Sequence, residues 1–227
     1  MPVISKYDIE ARYAPALVCS VPFALVTYYY LADIDTPFWS SVLGMSTGNL
    51  SLTAALFIVV VNLCRGLGKF IEEKAFNAGL SFPTTEFLLD NSTELSSQFK
   101  QNIIGKLEYK FGVRLGSPLS GDMQNRRAIH EAVGQIRRSL YKKSDLLLVR
   151  NIQFGVAKNL VGGSLIAGVV STIAVIISYS SSNEVALKIS AALLVTYVIL
   201  GMSSFLLMKF TAKHYAHTLF DEFNSAD

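Results

Sequence analysis

Residues 160–179 read LVGGSLIAGVVSTIAVIISY, a run of 20 residues without an Asp, Glu, Lys or Arg. An α-helix rises about 1.5 Å per residue, so such a run matches the roughly 30 Å hydrocarbon core of a bilayer. After a short polar turn, residues 186–208 read ALKISAALLVTYVILGMSSFLLM, with Lys188 as their one charge. That lysine sits near a helix end, where its ammonium can snorkel to the headgroups. Towards the N-terminus, residues 45–63 and 13–31 form two more apolar runs, the latter containing Pro15 and Pro22. A spanning helix tolerates such prolines with a kink. The four runs predict an all-α integral membrane protein in which two transmembrane helical hairpins flank a helical cytoplasmic insert. The expected divisions are an N-terminal hairpin at 1–63, a cytoplasmic helical domain at 64–159, a C-terminal hairpin at 160–208 and a cytoplasmic tail at 209–227.

Composition agrees with this layout. Of 227 residues, 51% are hydrophobic and only 16% charged, against about 25% charged in ordinary soluble domains. An ordinary water-soluble enzyme is excluded on that ground. The leader carries Asp8 and Glu10, whereas a cleaved signal peptide wants a positive start and a small-x-small site. The first run is therefore expected to be retained.

Charge sets the orientation, because Lys and Arg collect on the cytoplasmic side. Residues 65–159 hold 15 of the 20 basic and 9 of the 17 acidic residues, while the remainder of the chain is net acidic. Asp33 and Asp35 lie between the first two runs, and Glu184 lies between the last two. Both termini are thus expected in the cytoplasm of a bacterial inner membrane. Tyr28, Tyr29, Tyr30, Phe38 and Trp39 would form an aromatic belt at the outer interface. Topology and anionic lipid explain the excess of positive charge, so nucleic acid is not needed to account for it.

The insert carries helical signals. The second run continues through Arg65, Gly68, Lys69 and Glu72 and is expected to stop near Gly79. Ser81-Phe82-Pro83-Thr84-Thr85 marks a break and a short turn ending around Asp90. Leu95, Phe99, Ile103, Leu107 and Phe111 then share one helical stripe, and Gly112 is placed to terminate it. A further helix is expected over residues 122–143, with Ile129, Ala132, Val133, Ile136 and Leu140 within one arc. Ser144 can cap a last helix running into the third span.

On the helix over 122–143, Arg126 and Arg137 point the same way, Arg127 and Arg138 repeat the relation, and His130 lies between the rows. Arginine forks suit phosphate. The stripe is a candidate site for lipid phosphate or a nucleotide signal, for an acidic cytosolic protein, or for none of these as a solvated face. Small and hydroxyl residues form a second pattern. Ser164, Ser171 and Ser178 recur every seven residues around Gly168, Ser190, Tyr197 and Ser204 do so around Gly201, and Gly44 and Gly48 stand four apart. Such seams let helices approach and hydrogen-bond across, within a chain or between copies of a homo-oligomer.

Catalytic signatures are absent. There is no phosphate-cradling Gly-rich loop, no His-Glu-x-x-His and no Gly-x-Ser-x-Gly. His214 and His217 lack an evident third ligand, so no metal and no cofactor are expected. Cys19 and Cys64 cannot build a disulfide framework or a zinc site and are expected to be small buried residues.

Three pieces carry a resemblance: Arg65-x-x-Gly68-Lys69-x-x-Glu72, Pro83-Thr84-Thr85, and Asn151-x-x-Phe154-Gly155-x-x-Lys158-Asn159-Leu160-x-Gly162. With the hairpins, they resemble a broad family of uncharacterised bacterial four-span inner-membrane proteins, which implies localisation and brings no established activity. The layout is also similar to that of small membrane effectors in anti-phage systems, which pair a few spans with a cytosolic sensing part. The leading expectation is a non-enzymatic protein whose cytoplasmic helices sense a signal and whose oligomerised spans disturb the membrane. A transporter or channel component, or a scaffold recruiting a soluble partner, is the alternative. Transporters tend to bury ionisable groups at mid-membrane, and none is seen in these runs. In cysteine-labelling experiments on intact cells, residues 35 and 183 should react from outside, and 85 and 224 only after permeabilisation. Labelling of residue 35 from the cytoplasmic face alone would overturn the arrangement.

Overall fold

The computed structural model describes residues 5–26, 47–116, 118–141 and 143–226, leaving aside the side chains of 25, 47–54 and 56. The expected aromatic belt, Asp33, Asp35 and Gly44 lie outside the described residues; Gly48 lies on helical backbone. Among the described residues every regular element is helical. A π-helical turn at Asp8–Tyr13 leads into α1 (Ala14–Cys19) and α2 (Val21–Val26), followed by α3 (Thr47–Ala75) and the one-turn α4 (Pro83–Glu86). Then come α5 (Ser97–Phe111), α6 (Met123–Leu140), α7 (Asp145–Ser180) and α8 (Glu184–Ser225).

Local chemistry explains the boundaries. Ser96 caps α5 by accepting from the Phe99 N–H at 3.3 Å, and Gly112 ends it in the left-handed conformation at φ 67°. Asp122 caps α6 by accepting from the Asn125 N–H at 2.8 Å. That bond, with the Ser120 hydroxyl, holds the Asp122 carboxyl below its ordinary pKa. The Ser144 hydroxyl accepts from the Leu147 N–H at 3.0 Å and opens α7. One boundary differs from the expectation. Helix α6 ends at Leu140 because Tyr141 turns extended at ψ 125°, short of residue 143. The segment beyond residue 208 continues α8 as helix to Ser225, since it carries no Pro or Gly to break the run.

Two helices, α7 and α8, are long and apolar enough to cross a membrane. Only 39% and 17% of their most apolar windows are buried within the chain, where a core helix of a water-soluble protein would be mostly buried. Leu165, Val169, Ile173 and Ile176 form an exposed row on α7, and Val195, Ile199, Met202 and Leu206 form one on α8.

The chain divides into two compact units. Met1–Ile71 with Gly155–Leu207 form the first, and Glu72–Phe154 with Met208–Asp227 the second. In the first unit, Ala16, Cys19, Val61, Cys64, Ala167 and Tyr197 make the core. Its tightest point is a backbone crossing of α3 and α7. A Cβ on Gly68 would stand 2.6 Å from the Lys158 carbonyl oxygen, and one on Gly162 would overlap the Cys64 carbonyl oxygen and the Gly68 nitrogen. The N-terminal segment docks beside that crossing. The buried Asn159 amide donates to the Ala11 carbonyl at 2.5 Å, and the Tyr197 hydroxyl donates to the Val18 carbonyl at 2.7 Å.

The second unit has an apolar core of its own. Ile103 and Leu107 of α5 are fully buried, as are Ile129 and Ile136 of α6 and Leu219 and Phe220 of α8. The buried Lys100 spends its ammonium on the Leu89 and Ser92 carbonyls at 2.6 and 2.7 Å, tying down the loop before α5. The crossing yields a paired expectation. Gly162→Ala should destabilise the protein by about 1–3 kcal/mol, as overpacking does. Gly66→Ala meets nothing within 4 Å, and in a helix should be neutral or stabilise by up to about 1 kcal/mol. Thermal unfolding in mild detergent, followed by circular dichroism, measures both.

Candidate functional site

The arginine stripe of α6 separates into two rows with different duties. Arg126 and Arg137 are half-buried, whereas Arg127 and Arg138 are exposed. The Arg126 guanidinium pairs with the Glu86 carboxylate and also donates to the carbonyls of Leu80 at 3.0 Å and Gly121 at 2.9 Å. Arg137 lies over two rings, its Cζ 5.4 Å from the centroid of Phe82 and 5.6 Å from that of Tyr215. It also donates to the Thr84 hydroxyl at 3.4 Å. The inner row therefore clamps the Ser81–Glu86 break against α6 and α8. Its positive charge is used by the fold.

His130 belongs with the inner row. A Cβ on Gly79 would stand 2.6 Å from the imidazole Cε1, and Gly79 itself has φ 89°. Glycine is required there on both counts, by backbone conformation and by the ring packed on it. Thr85, fully buried, donates its hydroxyl to the Gly79 carbonyl at 3.2 Å. The resemblance piece Pro83-Thr84-Thr85 is thus a packed joint. The outer arginines are the part of the stripe presented to solvent.

The serine seam also resolves into separate parts. Ser164, Ser171, Ser190 and Ser204 are all buried within the chain, and a Cβ on Gly201 would touch that of Ser164 at 3.4 Å. The hydroxyls of Ser171 and Ser178 donate to carbonyls of their own helix, Ala167 at 2.8 Å and Ala174 at 2.6 Å. A serine in a helix reaches such a carbonyl of its own helix without any partner. Gly168 behaves differently. A Cβ there would meet nothing within 4 Å, because the residue lines an open apolar groove of about 560 Å³ with Tyr197, Gly201 and Met202.

Sequence reasoning missed a cleft in the second unit. Its volume is about 410 Å³, with Leu88, Ile104, Leu115 and Leu119 among its lining and Asp90, Ser97 and Gln101 as polar groups. These residues come from a loop, from α5 and from the strand-like stretch after Gly112, and no spacing relates them. Lys100 lines it as well, so four of its ten lining residues are polar or charged. Nearby in the same unit, Glu94 bonds Lys213 at 2.6 Å, and that ammonium, with His217 beside it, holds the carboxyl below its ordinary pKa. His217 also packs on Phe87, ring centroids 4.7 Å apart, so the His214/His217 pair serves packing. No group of three potential metal ligands occurs among the described residues.

No protein-family model, no curated protein and no solved structure matches the chain. The two arginine rows give contrasting expectations. Arg126→Gln leaves Glu86 and two carbonyls without their donor and should cost about 1–3 kcal/mol. Arg127→Gln and Arg138→Gln should each stay within about 0.5 kcal/mol. Denaturant unfolding of the three variants checks this, and equal losses across both rows would refute the division of labour.

Proposed function

We propose that the chain is a four-span inner-membrane protein with both termini in the cytoplasm. Its helical second unit answers a soluble signal without catalysis, and its spans disturb the bilayer when chains associate. One observation carries the reading: α7 and α8 are long and apolar enough to cross a membrane, and each keeps an apolar row exposed on its surface. Exposed apolar surface on that scale marks a membrane or protein contact rather than a water-facing surface.

Further features support the division of labour. Of the 15 basic residues at 65–159, 12 lie at 72–154 in the second unit, which favours the cytoplasmic side for it. The exposed Arg127 and Arg138 suit a phosphate or carboxylate on the signal, and the cleft beside Asp90 suits a small molecule. The likeness in layout to small membrane effectors of anti-phage systems points to a defence-type response. Association is assigned to the open face of α7 at Gly168, because a small residue facing a groove lets a second helix approach closely. A pure transporter reading has less behind it, since residues 159–183 and 189–208 hold no Asp, Glu, Lys or Arg.

Gly168→Leu separates fold from assembly, because leucine there meets open space and favours lipid. The wild type in mild detergent should run as an oligomer by multi-angle light scattering and, when overexpressed, depolarise cells. The variant should insert equally well, shift towards monomer and lose the depolarisation. A wild type that stays monomeric and leaves the membrane potential untouched would sink the proposal.

A further inference from the structure

The chain's two cysteines stand 45 positions apart in sequence, yet the fold brings their sulfurs to one point. A Cβ on Gly163 would lie 2.5 Å from the Cys19 Sγ and 3.0 Å from the Cys64 Sγ. The absent side chain of Gly163 is therefore what makes room for both. Cys19 and Cys64 are each 1% exposed and both are free thiols. They belong to one apolar cluster with Ala16, Val61, Ala167 and Tyr197. Cys19 is the last residue of α1, next to the turn in which the Ser20 hydroxyl bonds back to the Leu17 carbonyl at 2.7 Å.

We infer that Cys19 and Cys64 form an oxidisable pair, which a hydroperoxide converts to an intrachain disulfide tying α1 to α3. In the first step one sulfur attacks the peroxide as its own proton passes to the leaving oxygen; an S–O bond forms, the S–H and O–O bonds break, and water or an alcohol leaves. The resulting sulfenic acid faces the second thiol at once. In the second step that sulfur displaces the oxygen, an S–S bond forms and the S–O bond breaks. Water leaves with the remaining thiol proton. The two thiols lose two electrons and the peroxide gains two. A neighbouring thiol resolves the sulfenic acid before it can be driven to the irreversible sulfinic stage.

Charge favours this product over a metal adduct. A soft univalent ion held by two thiolates would leave a net negative charge in an apolar cluster, which costs several kcal/mol without a partner. Among the described residues no third His, Cys, Asp or Glu completes a ligand set. The disulfide is neutral and needs no hydration.

The test treats the full chain, in native membranes and in mild detergent, with hydrogen peroxide, then denatures it and blocks free thiols with N-ethylmaleimide. Non-reducing peptide mapping should find a Cys19–Cys64 linked peptide two hydrogen masses lighter than its parts, lost on treatment with dithiothreitol. In Cys64→Ser the same dose should leave Cys19 trappable by dimedone, with no intrachain link. Both cysteines recovered fully alkylated from the peroxide-treated wild type, or links formed only between chains, would overturn the inference.

Discussion

Everything in the first unit depends on backbone touching backbone where α3 crosses α7. Gly68 faces the Lys158 carbonyl, Gly162 faces the Cys64 carbonyl and the Gly68 amide, and Gly163 leaves space for two sulfurs. In a membrane, lipid is as apolar as leucine, so helix association relies on close packing rather than on escape from water. Three glycines within reach of one another let the helices approach until main-chain atoms make the contacts. The N-terminal segment is then held by donors that reach its carbonyls, Asn159 to Ala11 and Tyr197 to Val18. Both carbonyls belong to short helical pieces broken by the turn at Ser20, and a buried carbonyl without a donor is costly.

The second unit solves a different problem, the burial of an irregular joint. Between α3 and α5 the chain passes through positive φ at Asn77, Ala78 and Gly79 and then through the single turn of α4. A loop of this kind carries many backbone groups that no helix satisfies. Arg126 and Lys100 answer that need with long side chains that deliver several donors each, and Arg137 fills the space between two rings with a flat cation. The same residue types that read as a ligand stripe are spent on holding the fold. Only the row one residue further around the helix stays available to solvent.

The two units thus present different surfaces to the outside. One exposes apolar rows and an open groove around Gly168; the other hides a conventional core and exposes charge and a small polar cleft. The thiol pair sits in the apolar cluster of the first unit, where a neutral product is the easiest to accommodate.

The sequence by itself determined the elements. Apolar periodicity, the cap at Ser144, the stop at Gly112 and the two apolar runs of α7 and α8 are local properties, set by residues within a few positions of one another. The core positions of α5 and α6 were legible for the same reason, since a 3.6-residue period assigns a face without reference to any partner. Tertiary structure alone decided what each special residue is for. Nothing local separates Gly162, which touches another backbone, from Gly168, which touches nothing. Nothing local separates Arg126 from Arg127, or says that residues 208–226 carry Leu219, Phe220 and Phe223 into a core. Cys19 and Cys64 looked like isolated small residues until the crossing placed them around Gly163. These roles arise from contacts between distant parts of the chain, where the identity of the partner, and not the residue's own spacing, sets the chemistry.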